Sequence, residues 1–361
     1  MTFETGHPWI TFKDPCNVRN PQDHAGVIHN SNLCTEITLN NSDDETAVCN
    51  LGSINLVKMI ADQKIDGEKL RSTVHTAMQA KNANMRHRPV GLGLMGYQDA
   101  LYEMDIRFDS ESHLDFADEV MEKISYYAIE CSALIAAEKG RYESYAGSNG
   151  SGVFFPTRTV NWYQSADEDD WSKLKALVKK NGMRNSNCLA IAPTATISNI
   201  VGVQPRFICV INNYLANDLR RLALWEQGLI NKIKTADGSV QNIHEIPAAI
   251  REKYKIFFEI EPEWVLKAAA RRGKWIDQSQ SVNICLQSSS GKILNNTYMT
   301  AWELGLKTTY YLRTLSASQV TKTVKTEDEQ PQIIVKAKQA VNAPATAAAC
   351  SIDDPTCEAC Q

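Results

Sequence analysis

Between residues 110 and 140 the apolar side chains return at alternating spacings of three and four: Leu114, Ala117, Met121, Ile124, Ala128, Cys131 and Ile135. That rhythm is one face of an amphipathic helix, with Ser112 placed to cap its start and Gly140 to end it. Weaker versions of the same pattern predict helices over 169–181, roughly 217–233, 247–256 and 261–272. Short apolar pieces lie between them and read as strands: NCLAIAP (187–193), SVNICL (281–286) and TTYYLRTL (308–315). Residues 1–60 mix short apolar pieces with Asn, Asp and Gly and read as strands and loops, with AVCNLGSINL (47–56) leading from an apolar segment into a turn or helix. Strands alternating with helices predict a parallel α/β architecture. There is no internal repeat.

The pattern stops near residue 316. The last aromatic residue is Tyr311 and the last glycine Gly305; the remainder of the chain is rich in Lys, Thr, Gln, Ala, Glu and Val. A segment with so little to bury is expected to be a flexible tail. It ends in CSIDDPTCEACQ, which carries Cys350, Cys357 and Cys360.

Composition adds exclusions. Of 361 residues, 43% are hydrophobic and 22% charged, as in an ordinary globular protein with room for about two domains. The net charge of −4 comes with no long basic stripe, so nucleic-acid binding has no electrostatic support. The first fifteen residues carry charge and lack an apolar core, unlike a signal peptide. No apolar run approaches the roughly 18 residues that span a bilayer. These features predict a cytoplasmic protein, in which the ten cysteines are reduced, redox-active or metal-bound rather than structural disulfides.

Five places along the chain carry candidate chemistry. In NLCTE, Asn32, Cys34 and Glu36 fall at alternate positions, so an extended backbone points all three to one face. A lone cysteine is usually a small buried hydrophobe, but an amide and a carboxylate beside it are costly to bury without partners. A cleft facing a polar ligand supplies such partners, with Glu36 suited to act as a general base and Asn32 to fix a hydroxyl. Cys49 lies fifteen residues on and meets Cys34 if the chain turns back through the polar NNSDDET (40–46). In APTATISN (192–199), hydroxyls follow Pro193 at an expected helix start; a phosphate cradle and a simple Ser/Thr cap are equally open readings there. Tyr310 and Tyr311 are adjacent, and a regular strand would send them to opposite faces. The terminal Cys357-x-x-Cys360 suits thiol–disulfide exchange better than zinc, which takes four ligands. About 40 residues separate this pair from Leu315, a flexible reach of roughly 35 Å.

Together these pieces resemble the large, catalytic subunit of class I ribonucleotide reductase. The matching text is SNLCTEI (31–37), CNLGSINL (49–56), RPVGLGLMG (88–96), Trp171 through GMRNSNCLAIAPTATIS (182–198), IDQSQSVN (276–283), TTYYLRT (308–314) and the terminal CEAC. The resemblance implies an α/β fold that is the second half of a ten-stranded α/β barrel with a radical-cysteine loop over 1–315, followed by a disordered redox-active tail over 316–361. It implies that Cys34 becomes a transient thiyl radical, that Glu36 takes the 3′-hydroxyl proton of the ribose and that Asn32 holds its hydroxyls. Cys49 becomes one of two thiols that reduce the 2′ position. Pro193, Thr194, Ala195, Thr196, Ile197 and Ser198 bind the substrate diphosphate. Tyr310 and Tyr311 pass the radical from a small subunit, and Cys357 and Cys360 re-reduce the spent disulfide.

No cofactor and no metal is expected on this chain itself. The implied dependence is on the metal-radical cofactor of the small radical-generating subunit and on thioredoxin or glutaredoxin as reductant. Family members carry their activity domain, specificity site, first half-barrel and the partner of Cys49 in an N-terminal half that does not match here. A ribonucleoside diphosphate substrate and a separate N-terminal large-subunit polypeptide are therefore further expected partners, with no nucleic acid and no membrane. The alternative expectation is a non-catalytic remnant that only binds reductase subunits.

Overall fold

VGLGLM (90–95) offers no polar position, so as a strand it must be covered on both faces, the situation of a parallel sheet. The computed structural model describes residues 9–79, 86–148, 168–201, 212–287 and 290–314. Six strands are formed among them: β1 (Asn50–Asn55), β2 (Ile60–Ala61), β3 (Lys64–Ile65), β4 (Val90–Met95), β5 (Ile284–Leu286) and β6 (Leu312–Thr314). Every residue of β4 is buried.

β1 lies parallel to β4, from Asn50 opposite Val90 to Asn55 opposite Met95. The other edge of β4 is taken by 187–191: Val90 and Leu92 donate to the carbonyls of Asn187 and Cys188, each at 2.9 Å, and Leu92 bridges Leu189 in parallel. That segment in turn meets 278–281, through Gln278 N to Leu189 O at 3.1 Å and Ser281 N to Ile191 O at 2.9 Å. The chain then enters β5, which pairs in parallel with β6. Five parallel segments thus follow one another in sequence order, with residues 10–12 laid antiparallel against 307–309 beside the last. The expected parallel α/β architecture is present. Closure into a barrel is not formed by the described residues, because β1 has no strand partner on its outer edge among them.

Gly91 and Gly93 let these segments approach. A Cβ at Gly93 would lie 2.5 Å from the carbonyl oxygen of Ala190; one at Gly91 would lie 2.6 Å from Leu51 Cδ2 and 3.0 Å from Ala190 Cβ. The strand expected over 187–193 is reduced to single bridges at Leu189 and Ile191. The carboxylate of Asp277 is the reason: it accepts the N–H groups of Cys188 at 2.6 Å and Leu189 at 2.9 Å, replacing main-chain partners. AVCNLGSINL forms a strand over its second half, and the turn of 3₁₀ helix follows only at Leu56–Met59.

The expected long helix spans Glu111–Lys139. Its cap is Ser110, not Ser112: the Ser110 hydroxyl accepts the His113 N–H at 3.3 Å, and Gly140 ends the helix at φ 79°. Its apolar face packs with the helices Gly67–Met78, Glu168–Asn181 and Pro262–Gly273 around β4, burying Leu70, Val74, Leu92, Met121, Ile124 and Leu174. A second core joins β5 and β6 to Pro262–Gly273 through Leu266, Ile284, Leu286 and Leu312.

The helix expected over 217–233 is two helices, Asn213–Arg221 and Gln227–Thr235. Between them Ala223 sits at φ 57°, and Leu224 N donates back to Leu219 O at 2.9 Å, a left-handed C-terminal cap made without glycine. No described helix is long and apolar enough to cross a membrane. The tail expected over 316–361, with Cys350, Cys357 and Cys360, lies outside the described residues.

Candidate active site

The row at 32–36 is not extended. Thr35 N donates to Asn32 O at 3.1 Å and Thr35 takes φ 65°, so the segment is a tight turn with Leu33 exposed at its tip. The alternation of a strand therefore does not apply. Asn32 braces the turn from an exposed position, its Oδ1 accepting Ile37 N at 3.2 Å. Cys34 is half-buried and Glu36 is buried.

What brings Cys34 and Glu36 together is a residue 245 positions away from the glutamate. The Ser281 hydroxyl donates to the Cys34 carbonyl and lies 3.3 Å from Glu36 Oε2. Ser279 N donates to Glu36 O at 2.9 Å, and the Thr308 hydroxyl donates to Thr35 O at 2.7 Å. The turn is thus tied along its length to the adjoining segments 278–281 and 307–309.

Tyr310 leads into β6 and directs its hydroxyl at Cys34 Sγ, 3.7 Å away. Its ring lies 4.3 Å from that of Tyr311, and Trp9 packs against both at 5.0 and 5.5 Å. Both are bonded through their main chains to the lead into β5, Tyr310 N to Val282 O at 2.7 Å and Ile284 N to Tyr311 O at 2.9 Å. Burial pushes the Tyr310 phenol well above its usual range, and the Cys34 and Tyr311 contacts add to the rise.

Cys49 immediately precedes β1. Its Sγ accepts the Gln278 side-chain amide N–H at 3.3 Å. Burial pushes this thiol up to about 12, with Asp277 and Glu36 adding to the rise and the Gln278 hydrogen bond opposing it. The chain does turn back between the two cysteines, at the Ser42–Glu45 bridge. Both thiols are free, and both are reached from the one segment 278–281: Cys49 by Gln278, the Cys34 turn by Ser281.

That segment is held by a buried lysine. Lys307 Nζ donates to the carbonyls of Asp277 at 2.5 Å and Gln278 at 2.7 Å. Burial pushes the Asp277 carboxyl up, opposed by the Cys188 and Leu189 N–H groups that it accepts, and pushes the Lys307 ammonium down.

Pro193 to Ser198 follow 187–191 directly. Thr194 sits at φ 53°, and the short helix Ala195–Val201 begins behind it. Ser198 is buried and returns its hydroxyl to Ala195 O at 3.2 Å, so that hydroxyl serves its own helix; Ala195, Thr196 and Ile197 are exposed. Among the described residues no group of three His, Cys, Asp or Glu side chains is arranged to hold a metal.

Sequence reasoning on the residues alone singles out Cys34, Glu36, Cys49 and the two tyrosines but not Trp9, Asp277, Gln278, Ser281 or Lys307. The run IDQSQSVN is the available signal: a polar-rich stretch ahead of an apolar strand asks for buried partners.

The comparisons agree with this architecture. A family model described as ribonucleotide reductase, barrel domain, matches residues 1–312. The ribonucleoside-diphosphate reductase subunit alpha of Chlamydia muridarum is 46% identical over 89% of this chain, and the large chain of Schizosaccharomyces pombe is 36% identical over 99% of it. The chain spans 35% of the length of the first and 51% of the second. The solved class Id ribonucleotide reductase alpha subunit of Actinobacillus ureae superposes with a TM-score of 0.68 at 29% identity, covering 87% of this chain and 59% of that one. A match along most of the chain, together with relatives above 30% identity, places this protein in the ribonucleotide reductase barrel-domain family.

Proposed function

We propose that this chain supplies the C-terminal catalytic part of a ribonucleoside-diphosphate reductase, which converts ribonucleotides to deoxyribonucleotides for DNA synthesis by radical chemistry. The observation that carries the reading is the line Tyr311–Tyr310–Cys34: two rings 4.3 Å apart, then a phenol 3.7 Å from a thiol. Nothing in a packing role requires a thiol at the end of that line.

In this reading Tyr310 and Tyr311 pass an oxidising equivalent from the metal-radical cofactor of a small subunit to Cys34. The Cys34 thiyl removes the 3′ hydrogen of the ribose and gives it back once the 2′ position is reduced, while Glu36 takes the 3′-hydroxyl proton and Asn32 holds the hydroxyls. The 2′ C–O bond breaks and its oxygen leaves as water. Two thiols, one of them Cys49, supply two electrons and two protons and end as a disulfide. The diphosphate is held at Pro193, Thr194, Ala195, Thr196, Ile197 and Ser198. Cys357 and Cys360 return the disulfide to thiols and are themselves reduced by thioredoxin or glutaredoxin.

The catalytic unit is completed by a polypeptide equivalent to the part of the relatives that this chain does not span. The outer edge of β1, which no described strand pairs, and Leu51 beside it at 47% exposed support this, since an uncovered strand edge and apolar side chain call for a partner.

The test is ribonucleotide reduction by this chain with that N-terminal polypeptide, the small subunit and a thioredoxin system. Cys34→Ser should abolish turnover and leave substrate binding in place; reduction at a rate comparable to the unmodified protein would remove the reading. Deleting residues 350–361 should block repeated turnover with the protein reductant and spare a single turnover. Unchanged steady-state turnover would rule out the tail relay.

A further inference from the structure

We infer that Gln278 is a positioning residue for the Cys49 thiol: its side-chain N–H group holds Sγ at the start of β1 and favours the thiolate. The inference deepens the reductase reading, on which the role of Cys49 rests.

Three features carry it. The first is the orientation of the amide. Gln278 Nε2 lies 3.1 Å from the Val90 carbonyl and 3.3 Å from Cys49 Sγ. A main-chain carbonyl only accepts, so the NH₂ end must face Val90 O, and its second hydrogen is the one left for sulfur. The amide cannot turn over without setting two oxygens against each other.

The second is the cost of having a glutamine there. Gln278 is fully buried, and its Oε1 has no hydrogen-bond partner among the described residues. An unsatisfied buried acceptor is unfavourable, and an apolar side chain of the same length would avoid it. A residue retained only for packing would not carry this penalty; one retained for its N–H end would.

The third is the setting of the thiol. Cys49 Sγ is crowded by Gly91, where an added Cβ would stand 3.1 Å from sulfur, and its other polar contact is a weak one to Asn50 O at 3.8 Å. The charged groups acting on it, Asp277 and Glu36, are both acidic and oppose ionisation, as does burial. Among the described residues, the Gln278 donor is the contact on this thiol that favours the anion. Gln278 is itself fixed, its carbonyl accepting from Lys307 Nζ and its N–H donating to Leu189 O. The donor therefore arrives on a braced segment rather than on a loop.

The test reads the thiol directly and needs no turnover. Iodoacetamide alkylation of the full chain is followed against pH, with Cys49 and Cys131 quantified separately by peptide mass spectrometry. Gln278→Met keeps the length and removes the donor; Gln278→Glu keeps the shape and replaces the donor by an acceptor. Both should move the Cys49 profile to higher pH by roughly one unit or more and leave that of Cys131 in place. At a pH below both midpoints, a one-unit move is about tenfold slower labelling of Cys49. A Cys49 profile that stays put in a folded variant overturns the assignment.

If neither variant folds, the unmodified protein decides. The Gln278 side-chain amide resonances should shift with pH as Cys49 ionises, and that shift should be absent in Cys49→Ala; resonances that move alike in both overturn it. Failure here leaves the reductase reading standing, because Cys34 and Tyr310 are not involved. Failure of the turnover test leaves the alkylation result standing.

Discussion

Tyr310 places its hydroxyl 3.7 Å from Cys34 Sγ although the two residues are 276 positions apart in the chain. The contact forms because Thr308, two residues before Tyr310, bonds to Thr35, one residue after Cys34. A side-chain hydroxyl on one segment and a main-chain carbonyl on the other thus tie together the neighbours of the phenol and the thiol.

Tyr310→Phe should keep the ring contacts to Trp9 and Tyr311 and remove only the hydroxyl. Stability should change by no more than about 1 kcal/mol, the worth of one modest hydrogen bond. Radical-dependent ribonucleotide reduction should be lost. Denaturant unfolding and a turnover assay on the same preparation check both halves, and retained turnover would break the proposed line from Tyr311 to Cys34.

Ser281→Ala should loosen the turn that carries Cys34, because one hydroxyl reaches both the Cys34 carbonyl and Glu36 Oε2. Leaving those acceptors without it should cost about 1–3 kcal/mol. The rate constant should fall more than KM rises, since small misplacements of reacting groups act on the chemical step. A urea midpoint and kcat both within error of the unmodified protein would show that Ser281 does not hold the turn.

Gly93→Ala should be worse than Gly91→Ala. At Gly93 the new methyl would meet the Ala190 carbonyl at 2.5 Å, and main chain cannot swing aside. At Gly91 its nearest neighbour is the end of the Leu51 side chain at 2.6 Å, which can move. Gly91→Ala should cost about 1–3 kcal/mol, as overpacking usually does, and Gly93→Ala more than that. Thermal melting of the two variants gives the order, and equal losses would contradict the close approach of β4 to 187–191.

Acid should weaken the fold through His113. This residue is buried, with Nδ1 donating to the Phe108 carbonyl at 2.6 Å, and burial, helped by Arg272, lowers its pKa to about 4. Unfolding returns it to about 6.5. Between those values the unfolded chain binds the extra proton, so stability is full above pH 6.5 and is lost as pH falls toward 4. The loss across that window amounts to about 3 kcal/mol. His113→Phe should flatten the stability-against-pH curve there; a curve of unchanged slope would show that His113 is not its source.

The sequence by itself determined what repeats locally. The three-four spacing from Leu114 to Ile135 produced the helix Glu111–Lys139 with Gly140 at its end. Linear text also determined the family, since matching motifs need no coordinates. Local spacing misled where the chain turns for nonlocal reasons. Asn32, Cys34 and Glu36 alternate like a strand, yet Thr35 at φ 65° bends them into a turn.

Tertiary structure alone decided which polar groups serve which. Asp277 replaces main-chain partners for Cys188 and Leu189 across 88–89 positions, Gln278 reaches Cys49 across 229, and Ser281 reaches Cys34 across 247. A buried donor or acceptor must find a partner, but the requirement names no position in the sequence. Periodicity reports on neighbours within a few residues, whereas these bonds exist only after parallel segments far apart in the chain have come side by side.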